Sequence, residues 1–190
     1  MQRVFLLSPA TCGGQRARLL LSERASFPLA LRLRSAQGVP LGEAFAFLSG
    51  LYFRGKLAYA RAFARPPARF HEAGVLVITP TRGLLPAETA VGADLLREFA
   101  QVDVRPSDPR YCAPLARDTR LLATALGRGE AVLLGSLATG KYLDVLAPVL
   151  EGRLVYPRSF LGRGDLSRGA LLLRCARRRR ELVYEPVRPP

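Results

Sequence analysis

Short apolar runs alternate along this chain with longer stretches in which apolar positions recur every three or four residues. Residues 4–7 (Val-Phe-Leu-Leu), 75–79 (Val-Leu-Val-Ile-Thr), 132–134 (Val-Leu-Leu) and 154–156 (Leu-Val-Tyr) are the short runs. Continuous apolar and β-branched character predicts strands buried on both faces of a sheet. Between them the period changes. Residues 41–48 and 52–64 are predicted to be helical; in the second, Phe53, Leu57, Ala60 and Ala64 form one stripe, which Pro66-Pro67 ends. A short helix is expected at 93–100. Asp108 at an N-cap and Pro109 at the first helical position open a longer one. Cys112, Leu115, Thr119, Leu122 and Leu126 share a face of that helix, and Gly127 and Gly129 close it. Residues 142–150 form the helix after the third strand. Residues 15–48 otherwise carry weak helical patterning, interrupted by Pro28, Gly38 and Pro40.

Strands alternating with helices predict an α/β fold: a single-domain, Rossmann-like three-layer sandwich around a short parallel sheet of about four strands, occupying residues 1–168. The tail, residues 169–190, is a C-terminal hairpin or an extension of the same domain. Residues 170–175 and 182–186, joined across Arg177-Arg178-Arg179-Arg180, read as a hairpin; a continuous helix over 166–182 is the rival. Gly169 and the β-prone Leu-Val-Tyr ending favour the hairpin. In parallel sheets, ligands bind outside the carboxyl ends of the strands. The loops at 8–14, 79–86, 135–141 and 157–168 are therefore expected to converge on one edge.

Those loops carry the candidate chemistry. Gly135 to Lys141 has the G-x-x-x-x-G-K spacing of a phosphate loop, but Tyr142 stands where a magnesium-holding hydroxyl belongs. It reads as an anion contact through Ser136, Thr139, Gly140 and Lys141, not as an NTP-hydrolysing loop; a plain glycine turn is the alternative. Thr81, Arg82 and Gly83 lie in a polar loop leaving the second strand, placed to touch phosphate. Arg163 and Arg168 flank Asp165, which is either a general acid or base or the cap of the next element. Tyr52, Lys56 and Tyr59 share one helical face; the two tyrosines suit base stacking, or snorkel to water from a half-buried stripe. Ser8, Thr11 and Cys12 occupy the loop after strand one.

Charge sharpens the picture. Lys and Arg total 29 against 15 Asp and Glu, a net charge of +14, and only Lys56 and Lys141 are lysines. Arginine forks match phosphate oxygens in pairs, so DNA, RNA or a nucleotide is the expected partner. The single histidine, His71, and three scattered cysteines exclude a His-rich metal centre and zinc spacing; no metal and no cofactor is expected. No run of about 18 uncharged apolar residues occurs, and the first residues read as a strand and not as a leader. A reduced, cytoplasmic protein without membrane attachment is expected.

Leu51-Tyr52-Phe53 with Lys56 and Ala58-Tyr59-Ala60, then Val77-Ile78-Thr79-Pro80 and Gly83-Leu84-Leu85-Pro86, and later Tyr142 with Leu146, together resemble a family of uncharacterised bacterial α/β domains. That family is distantly similar to the uracil-DNA glycosylase fold and to domains attached to deazaguanine-modifying enzymes. The resemblance spans residues 3–168 in order of elements and implies a four-stranded parallel sheet with a site at the strand ends. It differs from glycosylases in the loop after strand one, Ser8-Pro9-Ala10-Thr11-Cys12, which lacks a carboxylate, and in having no late histidine. Three functional readings stand side by side: a nucleic-acid- or nucleotide-binding protein with glycosylase-like or base-exchange chemistry, a nucleotide or phosphate-ester enzyme using the Gly135–Lys141 loop, and a non-catalytic basic adaptor.

Overall fold

A computed structural model describes residues 1–68, 74–137 and 140–187. The chain runs β1 (Arg3–Leu7), α1 (Gln15–Leu21), α2 (Pro28–Arg34), β2 (Val39–Pro40), α3 (Leu41–Ser49), α4 (Leu51–Phe63), β3 (Val75–Ile78), β4 (Leu84–Pro86), β5 (Ala90–Val91), α5 (Ala93–Ala100), α6 (Pro109–Leu126), β6 (Glu130–Leu134), α7 (Gly140–Leu150), β7 (Leu154–Pro157), α8 (Asp165–Arg177) and β8 (Tyr184–Pro186). The main sheet has the order β4-β3-β1-β6-β7-β8. β3, β1, β6 and β7 are mutually parallel, with Leu6 beside Leu76 and Leu133. Two antiparallel edge strands, β4 and β8, extend this parallel core to six strands. β2 and β5 form a separate antiparallel pair.

Side-chain alternation divides the interior. Phe5, Leu7, Val77, Val132, Leu134 and Val155 face a core shared with α1–α5 and α8. Val4, Leu6, Leu76, Ile78, Ala131, Leu133 and Leu154 face a second core shared with α6 and α7. Both faces of the central strands are thus covered, which is why their sequences are apolar without interruption. The result is the expected three-layer, Rossmann-like α/β arrangement. No helix among the described residues is long and apolar enough to cross a membrane.

The tail departs from the hairpin reading. Residues 170–175 lie inside α8, and β8 pairs instead with β7, Tyr156 opposite Glu185. The physical reason is Gly169, which marks a helix crossing and not a helix break. A Cβ on Gly169 would lie 2.8 Å from the Tyr52 Cα, and one on Gly55 would lie 2.6 Å from the Gly169 carbonyl oxygen. α8 therefore packs on α4 through paired glycines, and burial of Leu172 and Cys175 outweighs the low helix propensity of one glycine. At the amino end of the sheet, Arg3 ties β1 to β6 and to the tail. Its guanidinium bonds Glu130 (2.7 Å) and Glu181 (2.5 Å) and lies over the Tyr184 ring.

Candidate functional site at the carboxyl edge of the sheet

β1, β3, β6 and β7 all end on one edge, so the loops that follow them start there. The chain leaving β1 leads to β3 on one side, and the chain leaving β6 leads to β7 on the other. β1 and β6 therefore flank the switch point of the sheet, where open α/β folds form a crevice. At that point the backbones nearly touch. The Ser8 amide donates to the Leu134 carbonyl (3.2 Å), and a Cβ on Gly135 would stand 3.1 Å from the Ser8 Cβ.

Beneath this contact lies the lysine that helical spacing grouped with Tyr52 and Tyr59. Lys56 of α4 is 1% exposed. Its ammonium donates to the Ser8 carbonyl oxygen (2.7 Å) and to Ser8 Oγ (2.8 Å), and it lies over the rings of Tyr52 (4.5 Å) and Phe53 (4.7 Å). None of the described carboxylates forms an ion pair with it. Burial pushes the amine down to about 7, and the charge of nearby Asp165 acts in the opposite direction. Tyr52 and Tyr142 belong to the same cluster. Burial pushes the Tyr52 phenol up to about 12 while Arg168 pulls it back; burial also raises Tyr142, with Ser8 opposing. The Tyr52 hydroxyl is enclosed, and the Arg168 guanidinium is the polar group that approaches it.

Beside the cluster a cleft of about 290 Å³ opens between the loops after β1 and β3, the end of α5 and the start of α7. Pro9 and the edges of the largely buried Pro80, Phe99 and Val102 form its base, and Thr11 and Lys141 supply polar surface. Asp103 also lines it but is paired with Arg105 at 2.7 Å. Cys12 is a buried thiol whose Sγ–H points at the Ala10 carbonyl (3.7 Å), and burial pushes it up to about 12. It is therefore protonated at neutral pH and unsuited to act as a nucleophile. Lys141 is exposed, and its backbone carbonyl accepts from the Tyr111 hydroxyl (2.8 Å).

The strand–loop–helix arrangement around Gly135–Lys141 is as expected, with one change of emphasis. A Cβ on Gly140 would lie 2.5 Å from Asp144 Oδ1. The protein's own carboxylate thus covers the first turn of α7, leaving the Lys141 side chain as the described cation of this loop that faces the cleft. Ser136 is half-buried beside β6; Thr139, like His71, lies outside the described residues.

The remaining expected site residues separate into three places. Thr81 bonds Glu98, and Arg82 grips the same carboxylate with two bonds (2.9 and 2.5 Å), so this loop is fastened to α5. Gly83 has φ +62°, and an added Cβ would run into Asp118 and approach the Pro114 carbonyl to 2.6 Å. Its backbone lies against α6, where Asp118 also accepts from the Leu84 amide (3.0 Å). Gly83→Ala is expected to lower stability by at least about 2 kcal/mol in urea unfolding, since left-handed backbone and steric overlap act together. Asp165 and Arg168 sit in the first turn of α8, 3.6 Å apart. Arg168 is anchored on the Phe160 carbonyl (3.1 Å), Arg163 bonds Ser167, and Asp165 remains 69% exposed. Tyr59, read as a base-stacking residue, is instead fully enclosed: its ring meets Phe5 and Phe63, and its hydroxyl joins Tyr184 and the Leu182 amide. No ring face is left for a base.

The edge thus brings Ser8, Thr11, Cys12, Tyr52, Lys56, Lys141 and Tyr142 together, with Asp165 and Arg168 close by. Compared with known proteins, the chain matches no family model, no curated protein and no solved structure.

Proposed function

We propose that this chain binds a nucleotide, free or as a unit of a nucleic acid, in the cleft at the carboxyl edge of its sheet. The observation that carries the reading is a cleft at the switch point of a parallel sheet, lined by Thr11, by the loops after β1 and β3 and by the exposed Lys141. A phosphate suits the Lys141 ammonium, and the polar lining suits the hydrogen-bonding edges of a nucleotide; the net charge of +14 favours encounter with any phosphate ligand. The buried Lys56–Ser8 contact holds the loop after β1 in place, so Lys56 is a positioning residue in this reading. The short-motif resemblance to glycosylase-fold domains directs attention to the same edge.

Titration with nucleoside mono-, di- and triphosphates, followed by melting temperature and calorimetry, tests the reading. Binding is expected, and Lys141→Ala is expected to weaken it about tenfold without altering the melting temperature of the free protein, because one charge-assisted contact is worth roughly 1.5–3 kcal/mol. Absence of binding across the series at low salt, or unchanged affinity in Lys141→Ala, overturns it.

A further inference from the structure

The arginines of this chain are not distributed alike. Several meet a carboxylate: Arg32 pairs with Glu43, Arg61 with Glu88, Arg82 with Glu98, Arg97 with Asp94, Arg110 with Asp108 and Arg117 with Asp118. Others, such as Arg16, Arg34 and Arg153, are held by backbone carbonyls. The densest run of arginines, at the end of α8, has no carboxylate partner of this kind. Arg174, Arg177, Arg178, Arg179 and Arg180 are all exposed, and none forms an ion pair with a described residue. Arg174, Arg178 and Arg180 line a groove of about 570 Å³ between α8 and residues 181–183, with Arg158 on its far wall. The carboxylate on its lining, Glu181, is already held by Arg3 (2.5 Å) and Arg65 (3.3 Å). Arg158 on the far wall is paired with Glu185 (3.3 Å), so the uncompensated charge lies on the α8 side, over an apolar floor of Leu171 and Leu182.

The backbone adds an independent observation. Arg179 has φ +50°, the left-handed conformation that closes a helix and that glycine adopts at least strain. Arg179 occupies that turn between Arg178 and Arg180, the two groove-lining arginines that flank it in the chain.

We propose that this groove is a docking track for the phosphodiester backbone of a nucleic acid, read without regard to sequence. Guanidinium forks spaced along one side match successive phosphates, and free counter-charge is missing on the protein side, so association is driven by release of cations from the nucleic acid. Arg158 follows directly on β7, so one wall of the groove begins at the same sheet edge as the nucleotide cleft. The inference goes beyond the nucleotide reading and does not depend on it.

The experiment uses the full chain and a fluorescein-labelled DNA of about 20 nucleotides, single-stranded and duplex, titrated across a salt series. The wild type is expected to bind, with affinity falling steeply as salt rises. Combined Arg174→Ser, Arg178→Ser and Arg180→Ser is expected to reduce the log–log salt slope by about two to three and to weaken low-salt binding at least tenfold, with melting unchanged. Arg179→Gly separates function from fold: it is expected to melt higher than the wild type and yet to bind with a slope lower by about one. Arg120→Ser, at an exposed position of α6 on the opposite face of the sheet, is the control and is expected to leave DNA affinity within about twofold. Three results overturn the proposal: no DNA binding at low salt, a wild-type slope in the triple variant, or equal competition by polyglutamate at matched charge, which would assign the groove to an acidic protein.

Discussion

Gly169→Val is expected to prevent folding or to lower stability by about 3–5 kcal/mol in urea unfolding, a large share of the 5–15 kcal/mol that holds a typical domain. Helix axes usually stand about 8–10 Å apart, separated by side chains. Here the separation is set by two glycines. The position of a Cβ on Gly169 is already occupied by the Tyr52 Cα at 2.8 Å and the Leu51 carbonyl oxygen at 2.9 Å, both backbone atoms that no rotamer change can move. On the opposite helix, a Gly55 Cβ meets the Gly169 carbonyl oxygen and Cα at 2.6 and 3.0 Å. Either substitution forces α4 and α8 apart, and that separation reaches the site: Tyr52 and Lys56 flank Gly55 on α4, while Asp165 and Arg168 lead into Gly169 on α8. The exposed neighbour Ala170 is the control; Ala170→Ser is expected to change stability by less than about 0.5 kcal/mol. A Gly169→Val protein that unfolds at the wild-type urea midpoint would contradict the crossing.

What was legible in the sequence follows the same logic. Strands β1, β3, β6 and β7 announced themselves because a strand covered on both faces has no polar alternation to obscure it. The Asp108-Pro109 start of α6 was legible because capping is local chemistry, and the Asp108 carboxylate accepts from the Arg110 amide (2.9 Å) as expected. The helix α8 was not, because Gly169 has two opposite meanings. Only the partner helix decides between a weak spot and a close contact, and that partner lies more than 100 residues earlier. The edge strands β4 and β8, each three residues long, fall below what period-2 patterning can register. Lys56 and Tyr59 were read together as cations and aromatics on a half-buried stripe. In the fold α4 lies between β1, α3 and α8, so eight of its residues, from Tyr52 to Phe63, are buried and the stripe has no wet side. The available signal was compositional: in a chain whose one other lysine is Lys141, a lysine between Phe53 and Ala60 is a choice of the more compact and more titratable group.

That choice has a measurable consequence: the stability of the protein is expected to rise as pH increases from 7 to 9. Burial holds Lys56 in the folded state at about 7, against 10.5 for the amine in the open chain. Below pH 7 both states carry the proton and the full desolvation penalty weighs on the fold. Between the two values the unfolded chain binds one more proton than the folded protein, so unfolding free energy increases by up to about 1.4 kcal/mol per pH unit, roughly 2–3 kcal/mol over the window. The groups facing the amine are Ser8 at the end of β1, Tyr52 on α4, Tyr142 on α7 and Asp165 with Arg168 on α8. The two phenols are raised by burial and stay protonated in this range, so Lys56 is the member of the cluster that titrates. Above pH 9 the trend is expected to reverse, since buried Cys12, Tyr52 and Tyr59 are all pushed up to about 12 and resist an ionisation that the unfolded chain undergoes freely. Lys56→Met keeps the volume and removes the proton. Urea unfolding at pH 7, 8 and 9 is expected to show the rise in the wild type and a flat profile in Lys56→Met. Asp165→Asn, which withdraws the one charge favouring the protonated amine, is expected to shift the onset of the rise to lower pH. A wild-type profile as flat as that of Lys56→Met would mean that the amine is hydrated in solution and that the enclosed Lys56–Ser8 contact does not organise this edge of the sheet.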